Sequence, residues 1–244
     1  MRLDVYLAEN GFAKSRTAAT KLIEDGCVSV NGKTIKKASY QTDENVLVTV
    51  NDNMKYVSRG GYKLEGALDA FCIDVKGKIA IDIGASSGGF TDCLLQRGAS
   101  FVYAIDSGRG QLAEKILSDT RVESRENVNA RYMGKKDFKM EIDIAVMDVS
   151  FISQTLILPS VFAILKPGAE LVSLIKPQFE VGRNGVGKNG IVKDEKVRRS
   201  AKERVCGFAE SIGFSLVGTV ESPIKGGDGN IEYLAYFRKP TDRL

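Results

Sequence analysis

Asp82-Ile-Gly-Ala-Ser-Ser-Gly-Gly-Phe90 decides the fold of this chain. It follows an apolar run, Lys78-Ile-Ala-Ile81, and opens into a helix-like segment from Phe90 to Arg97. Strand, glycine-rich turn and helix in that order bring a ligand against bare backbone at the carboxyl edge of a parallel sheet. A second strand-like run, Phe101-Val-Tyr-Ala-Ile105, ends in Asp106, 24 residues after Asp82. A carboxylate there can accept hydrogen bonds from both hydroxyls of a ribose. This half of the protein is therefore expected to bind an adenosine-containing cofactor.

Outward from the loop, strand and helix patterns alternate. Strands are expected near 79–83, 101–105, 120–123, 142–148, 170–175, 214–221 and 231–238. Helices are expected near 90–97, 111–118, 153–164 and 193–212, with Pro167-Gly168 and Gly213 ending two of them. Another helix, before the first of these strands, carries Leu64, Leu68 and Phe71 on one face. The pattern predicts an α/β domain with a doubly wound, mostly parallel sheet of seven strands. Its last two strands are separated by the turn-rich Ser222-Pro-Ile-Lys-Gly-Gly-Asp-Gly229, so they should form an antiparallel hairpin at the edge.

Residues 1–57 read as a separate small α+β domain, and 58–244 as the main one. Leu3 and Leu7 suit a short helix ending at Gly11; Ser15 can cap a second helix with Ala18, Ala19, Leu22 and Ile23 on one face. Asn31-Gly32 between Cys27-Val-Ser-Val30 and Lys33-Thr-Ile-Lys36 signals a hairpin. Asn45 to Val50 supplies a further strand, and Asn51-Asp52-Asn53 a polar linker.

Composition narrows the chemistry. The 244 residues include no histidine, which excludes Ser-His-Asp and Cys-His catalysis and histidine-bound zinc. The four cysteines are scattered without metal-ligand spacing, so no metal site is expected, and they fit a reducing cytoplasm. No apolar run approaches the roughly 20 residues of a membrane span. A net charge of +4 permits a nucleic-acid partner without requiring one.

The loop itself bears on the cofactor. A nicotinamide fingerprint needs a second glycine so that backbone can approach a pyrophosphate; Gly84-Ala85-Ser86-Ser87-Gly88-Gly89 has Ser86 there. S-adenosylmethionine has no pyrophosphate and tolerates a small side chain. Asp82 would then sit near its charged amino-acid portion and Asp106 on its ribose. Four further residues draw together: Lys63, Asp148 at the end of one strand, Lys176 at the end of the next, and Glu232 opening the last. Two lysines among two carboxylates can polarise a ribose 2′-hydroxyl and align it for methyl transfer.

Ser58-Arg-Gly-Gly-Tyr-Lys63, the Asp82 loop through Phe90, Asp148-Val-Ser-Phe-Ile152, Lys176-Pro-Gln-Phe-Glu180 and Gly229-Asn-Ile-Glu232 together resemble the TlyA family. Those proteins are ribosomal RNA 2′-O-methyltransferases, often labelled haemolysins, with a Rossmann-like methyltransferase sheet. The wider FtsJ-like class shares a Lys-Asp-Lys-Glu catalytic set. The resemblance implies that Lys63, Asp148, Lys176 and Glu232 fill those roles here. It implies S-adenosylmethionine as cofactor, held by Asp82, Gly84, Ala85, Ser86, Gly88, Gly89, Phe90, Asp106 and Asp148. FtsJ-like enzymes carry an aspartate near the adenine after the third strand, where this chain offers asparagine; Asn129 takes that place. It also implies a cytidine target.

The amino-terminal part resembles the S-four RNA-binding domain, through Arg2-Leu-Asp4, Lys14-Ser-Arg16, Leu22-Ile-Glu-Asp-Gly26 and Val28-Ser-Val-Asn-Gly32. The resemblance implies an RNA surface including Arg2, Lys14, Ser15, Arg16, Lys21, Lys33 and Lys36. Residues 1–57 hold eight basic and seven acidic residues, so recognition must rest on where the charges lie. The start at Arg2-Leu-Asp4 resembles the shorter TlyA type, associated with the large ribosomal subunit. Val181 to Gly190, glycine-rich and basic, is expected to act as a flap over RNA.

Competing readings remain open at this level. A catalytically silent RNA-binding or ribosome-assembly protein would share the small domain. A membrane-active haemolysin is disfavoured by the absence of a spanning segment, and a nicotinamide oxidoreductase by Ser86. Oligomeric state cannot be read from the chain.

Overall fold

The computed structural model describes residues 1–13, 15–24, 26–43, 46–50, 54–182, 185–187, 190–226 and 229–241. The expected linker at 51–53 lies outside them, as do Arg183, Asn184, Lys188 and Asn189 of the expected flap. The chain divides into two compact units, Met1–Lys55 and Tyr56–Leu244, two residues before the expected boundary. Tyr56 is only 2% exposed and packs into the core of the larger unit, which is why the division falls ahead of it.

The smaller unit has helices α1 (Leu3–Glu9) and α2 (Arg16–Glu24) and strands β1 (Val28–Val30), β2 (Lys33–Thr34) and β3 (Val48–Val50). The sheet is antiparallel, in the order β2-β1-β3. Asn31 and Gly32 both take positive φ, 51° and 77°, as the tight hairpin turn between β1 and β2 requires. Ser15 caps α2 by accepting from the Ala18 N–H at 3.2 Å. Leu3, Leu7, Ala19, Ile23, Val28 and Val30 close the core between helices and sheet.

In the larger unit, α3 (Gly60–Ala70) precedes β4 (Ile79–Ile83), α4 (Gly89–Gln96), β5 (Phe101–Ile105), α5 (Glu114–Leu117) and β6 (Val122–Arg125). Then follow β7 (Ile142–Met147), α6 (Leu158–Ile164), β8 (Leu165–Ile175), α7 (Pro177–Glu180), α8 (Glu195–Ser211), β9 (Ser215–Glu221) and β10 (Tyr233–Arg238). The sheet order is β6-β5-β4-β7-β8-β10-β9. Strands β4 to β8 run parallel, while β10 lies antiparallel between β8 and β9. Strand alternation buries both faces. Ala80 and Val102 pack under α3 and α4, whereas Ile81, Ile83 and Met147 pack under α6 and α8.

Several expected elements differ, among them the helix expected at 111–118, of which α5 covers only Glu114–Leu117. Pro167-Gly168 does not close a helix: α6 stops at Ile164, and β8 already pairs Leu165 with Ile142 before a register shift to Glu170 opposite Ile144. The two residues sit in that irregularity, where a proline without an N–H breaks no ladder bond. The expected helix at 153–164 splits into a 3-10 turn, Gln154–Leu156, and α6, with Pro159 in the first turn of α6. The third strand runs two residues later than expected, at Val122–Arg125.

Candidate active site

Strand register brings the expected residues to one edge of the large sheet. Ile83 pairs with Met147, so Gly84 and Asp148 leave neighbouring strands side by side. Gly84 has φ +85°, and a Cβ there would lie 2.4 Å from the Asp148 carbonyl oxygen, so only glycine permits this approach. Tyr233 pairs with Ile175, which sets Glu232 beside Lys176. Because β10 is antiparallel, the residue preceding it reaches the same edge as residues following the parallel strands.

The four candidate catalytic residues form two ion pairs. Lys63, from α3, places Nζ 2.5 Å from Glu232 Oε2, and both side chains are buried. Lys176 Nζ lies 2.6 Å from Asp148 Oδ1, a contact without hydrogen-bond alignment at that oxygen, and donates to Ser150 Oγ at 2.8 Å. Ser150 and the exposed Phe151 extend the site beyond what sequence reasoning singled out. Phe151 takes φ +63° and its ring packs 4.9 Å from that of Phe179, whose centroid is 5.9 Å from Lys176 Nζ.

A cleft of about 800 Å³ opens along this edge, lined by Gly84, Ser86, Asp106, Asn129, Asp148 and Phe151 among others. Of the four catalytic candidates, Asp148 is the one that lines it. Asp106 Oδ2 accepts from the Ser86 N–H and Oδ1 from the Gly108 N–H, both at 2.7 Å. Each oxygen keeps a further lone pair for a ligand hydroxyl. Ser86 itself adopts φ +48°, a conformation rare for a side-chain-bearing residue, and its N–H bond to Asp106 helps hold it there. Asn129 accepts from the Arg131 N–H at 3.2 Å, which caps the 3-10 turn bordering the cleft.

Asp82 lies beneath the cleft, 0% exposed. Thr91 Oγ1 donates to its Oδ2 at 2.7 Å, while Oδ1 has no partner. Burial, with the nearby charge of Asp148 adding to it, pushes this carboxyl up to about 7 against the Thr91 hydrogen bond. Two carboxylates, Asp106 and Asp148, thus line the cleft, above Asp82, whose raised value leaves it partly protonated near neutral pH. That field suits a cationic ligand and repels a pyrophosphate. An orphaned buried oxygen, a free ribose acceptor and sufficient volume all fit S-adenosylmethionine.

Gly88, Gly89 and Phe90 are not part of the lining. Phe90 belongs to the core, and a Cβ on Gly89 would meet Ser58 Oγ at 2.2 Å and the Gly61 nitrogen at 3.0 Å. Gly89 thus lets α3 pack closely on α4, while Gly88, at φ +90°, leaves room for Leu112 and Ile116. Ala85 borders a smaller adjoining pocket with Ser86 and Asp106.

In the smaller unit, Asp4 is 2% exposed and draws two arginines together. Arg2 donates to both its oxygens, at 2.9 and 3.1 Å, and Arg16 Nε to Oδ2 at 2.7 Å. The guanidiniums, Arg2 foremost, hold the Asp4 carboxyl well below the usual carboxylate range against the opposing push of burial. Lys33 and Lys36 are exposed and Lys21 half-buried. Lys14 lies outside the described residues.

An FtsJ-like methyltransferase family model matches residues 56–239, and an S4 domain model matches residues 1–48. The chain belongs to the FtsJ-like methyltransferases and, among them, to the TlyA family. It is 42% identical over 244 residues to the 16S/23S rRNA (cytidine-2′-O)-methyltransferase TlyA of Mycobacterium tuberculosis, covering 99% of this chain and 91% of that one. Hemolysin A of Brachyspira hyodysenteriae is 46% identical over 238 residues, 97% of this chain and 99% of its own. A solved structure from Streptococcus thermophilus shares 44% identity and a TM-score of 0.79, covering 99% of this chain and 89% of that one. Among the described residues, no helix is long and apolar enough to cross a membrane.

Proposed function

We propose that this protein methylates the 2′-hydroxyl of a cytidine ribose in ribosomal RNA, using S-adenosylmethionine, in the cytoplasm. The observation that carries the reading is the Lys176–Asp148 pair, 2.6 Å apart, at the mouth of an acidic cleft of adenosyl size. When bound, the cofactor supplies an electrophilic methyl group on a positively charged sulfur. Asp106 would hold its ribose, Asn129 would stand by its base and Asp82 would face its amino-acid portion. Lys176 would hold the target hydroxyl in line and, as the neutral amine after giving up its own proton to solvent, take the hydroxyl proton. Asp148 and Ser150 fix the Lys176 Nζ, and the buried Lys63–Glu232 pair supports it from the neighbouring strand. Alignment of this kind accounts for much of the rate of a bimolecular transfer.

Arg2, Arg16, Lys33 and Lys36 would carry the RNA phosphates in the smaller unit. Large-subunit RNA is the first substrate to assay, since 23S alone stands in the name of a Campylobacter jejuni relative, 33% identical over 263 residues, while the name of the Mycobacterium tuberculosis relative carries both 16S and 23S. The test is methyl incorporation into each purified ribosomal subunit, with the modified position mapped by mass spectrometry, for wild type and Lys176→Ala. Incorporation confined to wild type supports the reading. No incorporation by wild type, or equal incorporation by the variant, sinks it.

A further inference from the structure

We propose that Glu180 is a positioning residue for methyl transfer: its buried carboxylate, with Gln154, staples the backbone around Lys176 to the loop that carries Asp148. This rests on the assignment of Lys176 and Asp148 to the reaction.

The loop leaving β7 needs such an anchor. It runs from Asp148 to Ser153 without regular structure and contains Phe151 at φ +63°, a conformation that persists only when its surroundings hold it. At its far end, Ser153 Oγ donates to Glu180 Oε2 at 2.7 Å and the Gln154 N–H donates to Glu180 Oε1 at 2.8 Å. Arg204, on α8, adds a third donor to Oε2 at 3.2 Å and also donates to the Glu180 carbonyl. Glu180 is 4% exposed, so its negative charge is satisfied by these groups rather than by water.

Gln154 completes the arrangement from the other side. Its Nε2 donates to the Leu174 carbonyl at 2.6 Å, and its Oε1 accepts from Ser173 Oγ at 2.6 Å. Leu174 precedes Lys176 by two residues and Glu180 follows it by four. Both flanks of Lys176 are therefore tied to one dipeptide, Ser153-Gln154, of the Asp148 loop. Between those ties lie the contacts of Lys176 Nζ with Asp148 and Ser150. Pro177, in the first turn of α7, stiffens the short span to Glu180. If the lower staple loosens, the Lys176–Asp148 geometry loosens with it. Misplacement of about 1 Å costs on the order of 10²-fold in a reaction that depends on alignment.

The experiment compares full-length wild type with Glu180→Gln, Lys176→Ala and the double variant. Rates are measured with ribosomal subunits, cofactor affinity by calorimetry, folding by thermal unfolding, and the reactivity of Lys176 toward an amine-acylating reagent by mass spectrometry. Glu180→Gln is expected to lower kcat about tenfold to 10²-fold while KM and cofactor Kd change less than about twofold. Its effect should vanish in the Lys176→Ala background, since coupled residues are non-additive. Lys176 should acylate faster in Glu180→Gln than in wild type. If Glu180→Gln fails to fold, Arg204→Met, at a side chain 55% exposed, loosens the same carboxylate and should show a smaller effect of the same kind. A kcat within twofold of wild type, a multiplicative loss in the double variant, or unchanged Lys176 acylation overturns the proposal. Were wild type inactive on RNA, the functional reading would fall, while the acylation rates would still decide whether Glu180 holds Lys176.

Discussion

Two regions of this molecule use a buried carboxylate to hold cations, to opposite ends. In the smaller unit, Asp4 is buried but the arginines it grips are not: the side chains of Arg2 and Arg16 are 43% and 60% exposed. In the methyltransferase unit, Lys63 and Lys176 are themselves shielded, at 11% and 12%. The difference separates capture from chemistry. Exposed guanidinium forks can turn spare donors outward to phosphates, and such contacts weaken steeply with salt. Shielded ammonium groups are screened far less, and their position is set by the fold. RNA affinity should therefore be salt-sensitive, and cofactor affinity much less so; isothermal titrations at two salt concentrations would check both. Equal salt dependence of the two would erase the distinction.

The largest expected effect lies in the shielded set. Lys176→Ala should reduce methyl transfer by on the order of 10²–10⁴-fold, the range for loss of a proton-transferring group. Cofactor affinity should stay nearly unchanged, because Lys176 is not among the residues lining the cleft. Normal turnover by the variant would remove Lys176 from the reaction.

Asp106→Ala should act on the other half of the site. It removes the acceptor placed for a ribose and frees the Ser86 and Gly108 N–H groups. The expected loss is roughly 1.5–3 kcal/mol, about tenfold to a hundredfold in cofactor affinity by calorimetry. Unchanged affinity would make Asp106 a brace for the Ser86 turn and nothing more.

What was legible in the sequence follows the same division between backbone pattern and side-chain partnership. The β4–loop–α4 unit was readable because an apolar run, glycines and a following helix are local signals. Asp148, Lys176 and Glu232 could be placed at one sheet edge, and Lys63 on the adjoining helix, for the same reason. Their division into two ion pairs depends on register between β7, β8 and β10, which no local pattern encodes. Pro167-Gly168 misled because a helix stop and a strand irregularity carry the same residues. Gly89 suggests ligand contact in the sequence, and in the structure its small size also serves the packing of α3 on α4. Glu180 and Asp4 stood inside recognised stretches, but their roles come from partners far away in sequence: Gln154 is 26 residues from Glu180, and Arg16 is 12 from Asp4.

In the exposed set, Asp4→Asn should loosen Arg2 and Arg16 together. The expected loss in RNA affinity is about fivefold, equivalent to roughly 1 kcal/mol, with cofactor binding untouched. Because the Asp4 carboxyl is held below its ordinary value, it stabilises the folded unit above about pH 3.9 and that stability is lost as pH falls further. RNA affinity equal to wild type would show that the arginines reach phosphate without their anchor.

The smallest effect concerns Asp82 and runs in the opposite sense to Asp4. Burial raises its folded value to about 7, above the roughly 3.9 of an unfolded aspartate. The folded state then holds this proton more tightly than the unfolded chain does. Its contribution to stability is fully present below about pH 3.9 and is lost as pH rises through about 7. An asparagine can still accept from Thr91 and carries no charge, so Asp82→Asn should escape that loss. Thermal unfolding without cofactor should show the variant gaining on wild type between pH 5 and pH 8. Each kcal/mol of difference corresponds to about 2–4 °C for a chain of this size. Parallel curves across that range would mean that Asp82 is already ionised at pH 5, and that its unpartnered oxygen is better solvated than its burial implies.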